Sequence, residues 1–144
     1  MFRAICLVIG YFLGCIQTAY FIGKKSNIDI STKGSGNLGT TNTVRVLGIK
    51  KGLFTFFCDV LKSAAAFYIC AFLFKENPVT AGFYGSAGAI LGHDFPFFHG
   101  FKGGKGIAAM LGMMLGAFPF PALAVYIIAI AILLTGYVSV TSLV

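Results

Sequence analysis

The sequence predicts an all-α protein, a multi-pass bundle of about five helices embedded in a membrane. The first reason is composition: 58% of the 144 residues are hydrophobic and 10% are charged, whereas soluble domains carry about 25% charged residues. The second is a mean hydropathy of +0.90. The third is that the apolar residues form long runs, with most basic residues between them. A chain of this length is expected to form one domain, residues 1–144.

The first apolar run covers residues 4–23 and contains no charge and a single amide, Gln17. About 20 residues, each rising about 1.5 Å, cross a hydrocarbon core about 30 Å thick. A cleaved signal peptide is the alternative interpretation. However, the run is long for a signal peptide, and no small-x-small cleavage site follows it. We therefore expect a retained transmembrane helix here.

Four further apolar runs follow, at residues 52–74, 80–98, 106–118 and 120–144. A polar turn at residues 75–78 separates the first two, and Pro119 and Pro121 separate the last two. The run at 106–118 is short, because about 13 residues reach only about 20 Å. It either crosses a thinned region of the bilayer or re-enters on one side, and we interpret it as a span.

The basic residues predict the orientation of the bundle. The segments 24–51 and 99–105 are separated by two crossings, so they lie on the same side of the membrane. Both are basic, and short loops rich in lysine and arginine face the cytoplasm. The N-terminus is then outside. A net charge of +7 often indicates nucleic-acid binding, but charges that flank apolar runs favour a membrane protein with a site for anions, and we expect no nucleic acid.

The third apolar run contains four glycines, Gly82, Gly85, Gly88 and Gly92. Steps of three, three and four residues place them on one helical face. Small residues let neighbouring membrane helices approach closely. The pattern therefore predicts a packing seam.

The four cysteines, Cys6, Cys15, Cys58 and Cys70, all lie inside apolar runs. They lack the paired spacing of metal ligands and the pattern of a secreted disulfide scaffold. We interpret them as small buried residues, and no metal site or cofactor is expected.

The first candidate site is the glycine-rich stretch at residues 33–42, KGSGNLGTTN, followed by Arg45. Its glycines permit backbone conformations closed to other residues, and such turns can point successive N–H groups at an anion. Neutral hydrogen-bonding groups and helix-cap candidates are added by Ser35, Asn37, Thr40, Thr41 and Asn42. Arg45 can bind phosphate in a bidentate way. A flexible polar loop between helices is the alternative.

The second candidate site is residues 92–106, GHDFPFFHGFKGGKG. Lysines alternate with glycines just before an apolar helix, whose free N-terminal N–H groups favour an anion. The residues in question are Lys102, Gly103, Gly104, Lys105 and Gly106. It is not a nucleotide-binding P-loop, because glycine rather than serine or threonine follows Lys105. A positively charged membrane anchor is the alternative.

Three titratable residues inside the apolar runs are further candidates. His93 is either a general base or phosphate donor, or an interfacial histidine without a catalytic role. Asp59 and Lys62 lie one helical turn apart inside the second apolar run. A charge in the middle of the bilayer costs about 2.5–3.5 kcal/mol. They either form a structural ion pair or face the site. A soluble-type acyltransferase signature is excluded, since no aspartate lies five positions after His93 or His99.

These motifs resemble those of the bacterial membrane acyl-phosphate:glycerol-3-phosphate acyltransferases. The family's first motif, SGNxGATN with a nearby arginine, corresponds to SGNLGTTN at residues 35–42 and Arg45. Its second, GHxFPxFxxFKGGKG, is matched at every specified position by residues 92–106. Its D-x-x-K-G corresponds to residues 59–63. Thr40 replaces the usual alanine of the first motif, and Ser63 the usual glycine of the last.

The resemblance implies acyl transfer from a fatty acyl phosphate to glycerol 3-phosphate in the inner (plasma) membrane, with a functional link to the enzyme that supplies acyl phosphate. It implies that Ser35 and Arg45 matter for catalysis and that residues 102–106 bind substrate phosphate. We expect Arg45, Lys102 and Lys105 to clamp phosphate, with Asn42 and Lys62 assisting. Ser35 and Asn37 would orient the acceptor or the oxyanion, and either His93 or substrate phosphate would be the base.

The resemblance also predicts a longer protein. Members continue past a segment like residues 137–142 into a further helix and a third motif carrying His, Asn and Glu, and we expect this chain to lack that part. The alternatives are an inactive fragment of the enzyme, a small transporter subunit for anions or phosphate esters, and a structural multi-pass protein. A structural protein leaves the two glycine-rich basic loops unexplained.

Overall fold

The computed structural model describes residues 1–135, and this part of the chain is helical without any strand. Seven α-helices are joined by short turns and two 3₁₀ turns, at Ile30–Thr32 and Phe97–His99. The helices are α1 Phe2–Gly14, α2 Thr18–Lys25, α3 Thr40–Leu47, α4 Ile49–Leu73, α5 Pro78–Asp94, α6 Ile107–Ala117 and α7 Pro119–Thr135. The all-α prediction is confirmed. The end of the run predicted at 120–144, including residues 137–142, lies outside the described residues.

Two helical segments are long and apolar enough to cross a membrane by themselves, Phe2–Lys25 and Ile49–Leu73. The shorter α5, α6 and α7 pack around them. Large apolar side chains remain exposed on the outside of the bundle, such as Phe12 (58%), Phe72 (70%) and Phe120 (87%). Lipid tails accept such a surface, which water would disfavour. The number of spans and the outward N-terminus stay predictions.

The first apolar run lies in the first of these two segments, but it forms two helices rather than one uninterrupted helix. The helix breaks at residues 15–17, between α1 and α2. The break is held by polar partners inside the bundle: the Lys62 ammonium donates to the Ile16 carbonyl at 2.8 Å, and the Gln17 amide donates to the His93 carbonyl at 2.9 Å. Irregular backbone is tolerated at membrane depth where protein groups satisfy it. Gln17, the single amide in the run, was the sequence signal for this break.

The polar segment 24–51 is more ordered than a loop. It contains the first 3₁₀ turn and α3, and α4 already begins at Ile49. The turn starts at Asp29, whose carboxylate accepts hydrogen bonds from the Ser31 N–H at 3.0 Å and the Ser31 hydroxyl at 2.6 Å. These hydrogen bonds hold the pKa of Asp29 below its usual value. Helix α3 then packs on the N-terminal half of α4, which fixes this segment to the bundle.

Helix α5 is central, because it contacts α1, α4 and α6. The predicted glycine seam is present but serves two neighbours. A Cβ on Gly88 or Gly92 would overlap backbone carbonyl oxygens of α1, whereas one on Gly82 or Gly85 would meet Phe67 or Ala66 of α4. The glycines thus set the distances of both helices from α5. Because the third apolar run leaves the helix at Asp94, rather than continuing to residue 98, the rest of it forms a turn.

Replacing Gly92 with valine is expected to separate α1 from α5, because the added carbons would collide with the Tyr11 carbonyl. Backbone atoms cannot move aside as a side chain can. The free energy of unfolding should therefore fall by at least the amount typical of overpacking, about 1–3 kcal/mol. Thermal unfolding in detergent should show a lowered Tm. The matched control is Leu91→Val, at a neighbouring position that is 48% exposed. An unchanged Tm for Gly92→Val would contradict this packing.

Candidate active site

The two candidate sites of the sequence meet in one cavity of about 150 Å³. Its wall comes from α3 and the loop before it, from α4, from the end of α5, from the start of α6, and from the second half of α7. We call this space the polar cavity. Its hydrogen-bonding side chains are those of Ser35, Asn37, Thr40, Thr41, Asn42, Arg45, Asp59, His93 and Lys105. Residues more than 60 positions apart therefore face one ligand-sized space. This agrees with the expectation that the two loops lie on the same side of the bundle.

Asn42 orders the first loop. Its Oδ1 accepts a hydrogen bond from the Ser35 N–H at 2.9 Å, and its Nδ2 donates to the carbonyls of Lys33 at 3.0 Å and Ile30 at 3.3 Å. The residue is 1% exposed. Its two amide protons are both engaged, so the side chain holds Ser35 at the cavity rather than offering a donor to a ligand. Phosphate binding by Asn42 stays a prediction that these contacts do not favour.

Replacing Asn42 with alanine is expected to release the Ser35 loop, since it leaves the Ser35 N–H without its partner and removes one of two donors from each of the Lys33 and Ile30 carbonyls. Each buried polar group left unsatisfied costs about 1–3 kcal/mol. Hydrogen exchange at the Ser35 amide should accelerate by at least about 10-fold, while amides in α5 stay protected. Asn42→Asp keeps an acceptor for the Ser35 amide but no donors, so it should lie between alanine and wild type. Equal exchange in all three proteins would show that another group orders the loop.

The second loop is tied to α5 and to the first loop by its backbone. Gly103 and Gly104 donate their N–H groups to the carbonyls of Asp94 at 3.0 Å and His93 at 2.9 Å. The Leu38 N–H donates to the Gly103 carbonyl at 3.3 Å, which joins the two loops directly. The amides of Gly103 and Gly104 are thus used within the protein. Lys105 and Gly106 are the residues of this loop that line the cavity.

Two helices begin at the polar cavity. Gly39 precedes α3 and Gly106 precedes α6, and neither helix start has a side-chain cap among the described residues. Gly106 adopts a left-handed φ of +69°, which favours glycine at this position. The first N–H groups of a helix lack internal partners and carry the positive end of its dipole. The cavity therefore presents two helix N-termini together with Arg45 and Lys105, an arrangement suited to an anion.

A buried ionic cluster lies beside the cavity. The Lys62 ammonium is 2.9 Å from Asp59 Oδ1 and 2.8 Å from His93 Nδ1, and His93 Nδ1 is 3.6 Å from the same carboxylate oxygen. Asp59 and His93 are 1% and 2% exposed. The contact between Lys62 and Asp59 is an ion pair, and no other described residue donates a hydrogen bond to the Asp59 carboxylate. Asp59 thus serves the ion pair and also lines the cavity.

The cavity continues from its polar rim to an apolar wall. That wall is formed by Phe56, Ile107, Ala108, Leu111, Ala129 and Ile132. Behind it, Phe56 packs with Tyr126 in a cluster between α4, α6 and α7, and the Tyr126 hydroxyl donates to the Leu111 carbonyl at 2.8 Å. One space therefore combines cationic groups with a surface that accepts a hydrocarbon chain.

The structure separates the predicted site residues into two groups. The residues that it brings to the cavity are Ser35, Asn37, Asn42, Arg45, Asp59, His93, Lys105 and Gly106. Lys62, Lys102, Gly103 and Gly104 do not line it. The cavity also includes Thr40, one of the helix-cap candidates of the first loop, and its buried hydroxyl has no partner among the described residues. The roles of all these residues stay predictions.

A bundle of apolar helices with a cavity suited to an anion at its helix ends is typical of a membrane-embedded protein that binds an amphipathic anion. Comparison with known proteins makes this specific. The family described as "Glycerol-3-phosphate acyltransferase" matches residues 4–144. The chain belongs to this family, and the resemblance carried by its motifs is confirmed.

Relatives and solved structures agree with the family. Glycerol-3-phosphate acyltransferases from Alkaliphilus metalliredigens and Clostridioides difficile are 39% and 42% identical over 99% and 97% of this chain. A crystal structure of PlsY (YgiH), an integral membrane glycerol 3-phosphate acyltransferase, in its glycerol 3-phosphate form, is 35% identical over 92% of this chain, with a TM-score of 0.79. Its lysophosphatidic acid form gives 0.75. The protein is therefore an integral membrane acyltransferase by family and fold.

The match leaves part of the relatives uncovered. The chain spans 73% and 71% of the length of the two relatives, and 66% and 61% of the two solved chains.

Proposed function

We propose that the polar cavity transfers a fatty acyl group from acyl phosphate to glycerol 3-phosphate. A hydroxyl oxygen of glycerol 3-phosphate bonds to the acyl carbon, and the bond from that carbon to the phosphate oxygen breaks. The hydroxyl proton leaves with inorganic phosphate or through a base, and lysophosphatidate is the second product. Acyl phosphate is already activated, so the protein contributes positioning and charge stabilisation.

One observation carries the proposal: two uncapped helix N-termini, Arg45 and Lys105 surround a cavity that continues into an apolar wall. Both substrates carry a phosphate group, and one carries a long alkyl chain. The cationic rim suits the phosphates, and the wall of α4, α6 and α7 suits the chain.

The polar residues around the cavity have different roles in this reaction. Arg45 and Lys105 hold phosphoryl oxygens by charge-assisted hydrogen bonds, and the start of α3 presents backbone N–H groups to the same anion. Ser35 and Asn37 line the cavity and orient the acceptor or the oxyanion that develops on the acyl carbon. We place the cavity on the cytoplasmic side of the inner membrane, because the segments that form its rim are the basic ones. Acyl phosphate would come from a separate enzyme that makes it.

The test uses the purified chain in lipid nanodiscs, with acyl phosphate and glycerol 3-phosphate supplied separately and together. The expected result is release of inorganic phosphate and lysophosphatidate only when both substrates are present. In sealed vesicles, flux of glycerol 3-phosphate without any ester product would favour the transporter. Binding of glycerol 3-phosphate without turnover would favour the inactive fragment.

A further inference from the structure

We infer that Lys62 is a positioning residue that holds His93 in one tautomer, so that His93 donates a hydrogen bond from Nε2 to a phosphoryl oxygen in the polar cavity. The inference rests on the proposed function, because it needs a phosphate group in the cavity. It gives His93 the role of a neutral hydrogen-bond donor in place of a general base.

The contacts of the Lys62 ammonium carry the first step. An ammonium group has three protons and no acceptor. Its Nζ atom lies 2.8 Å from the Ile16 carbonyl oxygen, 2.8 Å from His93 Nδ1 and 2.9 Å from Asp59 Oδ1. The carbonyl and the carboxylate can only accept. Asp59 favours the charged ammonium, since a buried carboxylate needs a compensating cation.

The tautomer of His93 follows. If the ammonium donates to Nδ1, that nitrogen carries a lone pair rather than a proton, and a neutral imidazole then has its proton on Nε2. A histidine in this form cannot take a proton at Nε2, so it cannot be a general base from the cavity side. It is a donor there.

The Nε2 atom of His93 lies against the second loop. A Cβ on Gly104 would overlap Nε2, so the imidazole edge lies directly against this glycine. No described residue forms a hydrogen bond with Nε2, and His93 lines the polar cavity together with Lys105. Within the described part of the chain, the Nε2 position of His93 is thus left for a ligand.

The break in the first apolar run explains why this arrangement is stable. It frees the Ile16 carbonyl to receive Lys62, and it places the Gln17 amide on the His93 carbonyl at 2.9 Å. The His93 carbonyl also accepts the Gly104 N–H. Both ends of His93, side chain and backbone, are therefore fixed by groups outside the cavity, which is how a catalytic group keeps its orientation before substrate arrives.

Nitrogen-15 NMR of the imidazoles tests the tautomer directly. The chain has two histidines, so selective labelling gives two rings, and His99→Gln leaves only His93. We expect His93 to show a protonated Nε2 and an unprotonated Nδ1. Addition of glycerol 3-phosphate should shift the Nε2 resonance, and glycerol at the same concentration should not. A proton on Nδ1, or no shift with glycerol 3-phosphate, would overturn the inference.

Two replacements of His93 separate a donor from a base. Glutamine places an N–H near the position of Nε2 but cannot accept a proton, so His93→Gln should keep the Kd of glycerol 3-phosphate within about threefold of wild type. His93→Leu should raise that Kd by about 10–100-fold, because a hydrogen bond to a charged group is lost. Equal loss in both variants would contradict the donor role.

Lys62 is tested by removing the ion pair as a whole. The double variant Asp59→Asn with Lys62→Met leaves no isolated buried charge, and His93 should then show a mixture of both tautomers. A retained Nε2–H tautomer would show that Lys62 does not set it. Acyl transfer by wild type with the proton on Nδ1 would overturn this inference alone. Conversely, the expected NMR and binding results without acyl transfer would overturn only the acyltransferase reaction.

Discussion

Replacing Arg45 with alanine is expected to raise the Kd of glycerol 3-phosphate by at least about 100-fold. A guanidinium binds a phosphate through two parallel charge-assisted hydrogen bonds, each contributing about 1.5–3 kcal/mol, and alanine removes both. Arg45→Lys should lose about 10-fold, because an ammonium keeps the charge but not the bidentate geometry. Titration calorimetry on the chain in nanodiscs measures these values.

Arg3 provides the matched control for Arg45. It lies at the N-terminal end of α1 and does not line the polar cavity. Its guanidinium packs near the rings of Phe2 and Tyr84, 5.9 and 5.6 Å from their centroids. Arg3→Ala should leave the Kd within about twofold of wild type. If Arg45→Ala binds as tightly as Arg3→Ala, the cavity does not hold the phosphate.

Replacing Lys105 with alanine is expected to lower kcat/KM by about 100-fold. Lys105 lines the cavity at the start of α6, and its ammonium would stabilise the phosphate that leaves as the acyl carbon is attacked. Lys105→Arg should recover part of the rate because it restores the charge. Wild-type turnover in Lys105→Ala membranes would refute the phosphate clamp.

Lys102 is the matched control for Lys105, since it belongs to the same motif but does not line the cavity. Lys102→Ala should lower kcat/KM by less than about 10-fold, an effect of long-range charge rather than contact. Lys75→Ala, in the turn between α4 and α5, should have no effect. A larger loss for Lys102 than for Lys105 would contradict the loop geometry described here.

Much of the architecture could be predicted because membranes impose simple rules. Apolar runs long enough to cross a bilayer must be helical, and the shared sign of two loops placed them on one side. Ser35, Arg45 and Lys105 were predicted to converge, and they line one cavity. Their chemistry was readable because glycines, lysines and neutral polar residues are unusual in so apolar a chain.

The parts that sequence reasoning missed depend on which hydrogen-bond partners meet in three dimensions. Asn42 has the residue type of a phosphate ligand, yet its side chain is engaged by the Ser35 loop. Lys62 has the charge of a ligand, yet its partners are Ile16, Asp59 and His93. The break in the first run arises from the same cluster, so neither the interruption nor the orientation of His93 follows from the local pattern.

The first loop and the second loop are predicted to share one phosphate site on one side of the membrane. Membrane-impermeant maleimide labelling of Ser35→Cys and Lys105→Cys tests it, in oriented vesicles and with the four native cysteines replaced by alanine. We predict that both positions are labelled from the same side and that glycerol 3-phosphate slows labelling at both. Labelling from opposite sides, or no protection at either position, would contradict the account.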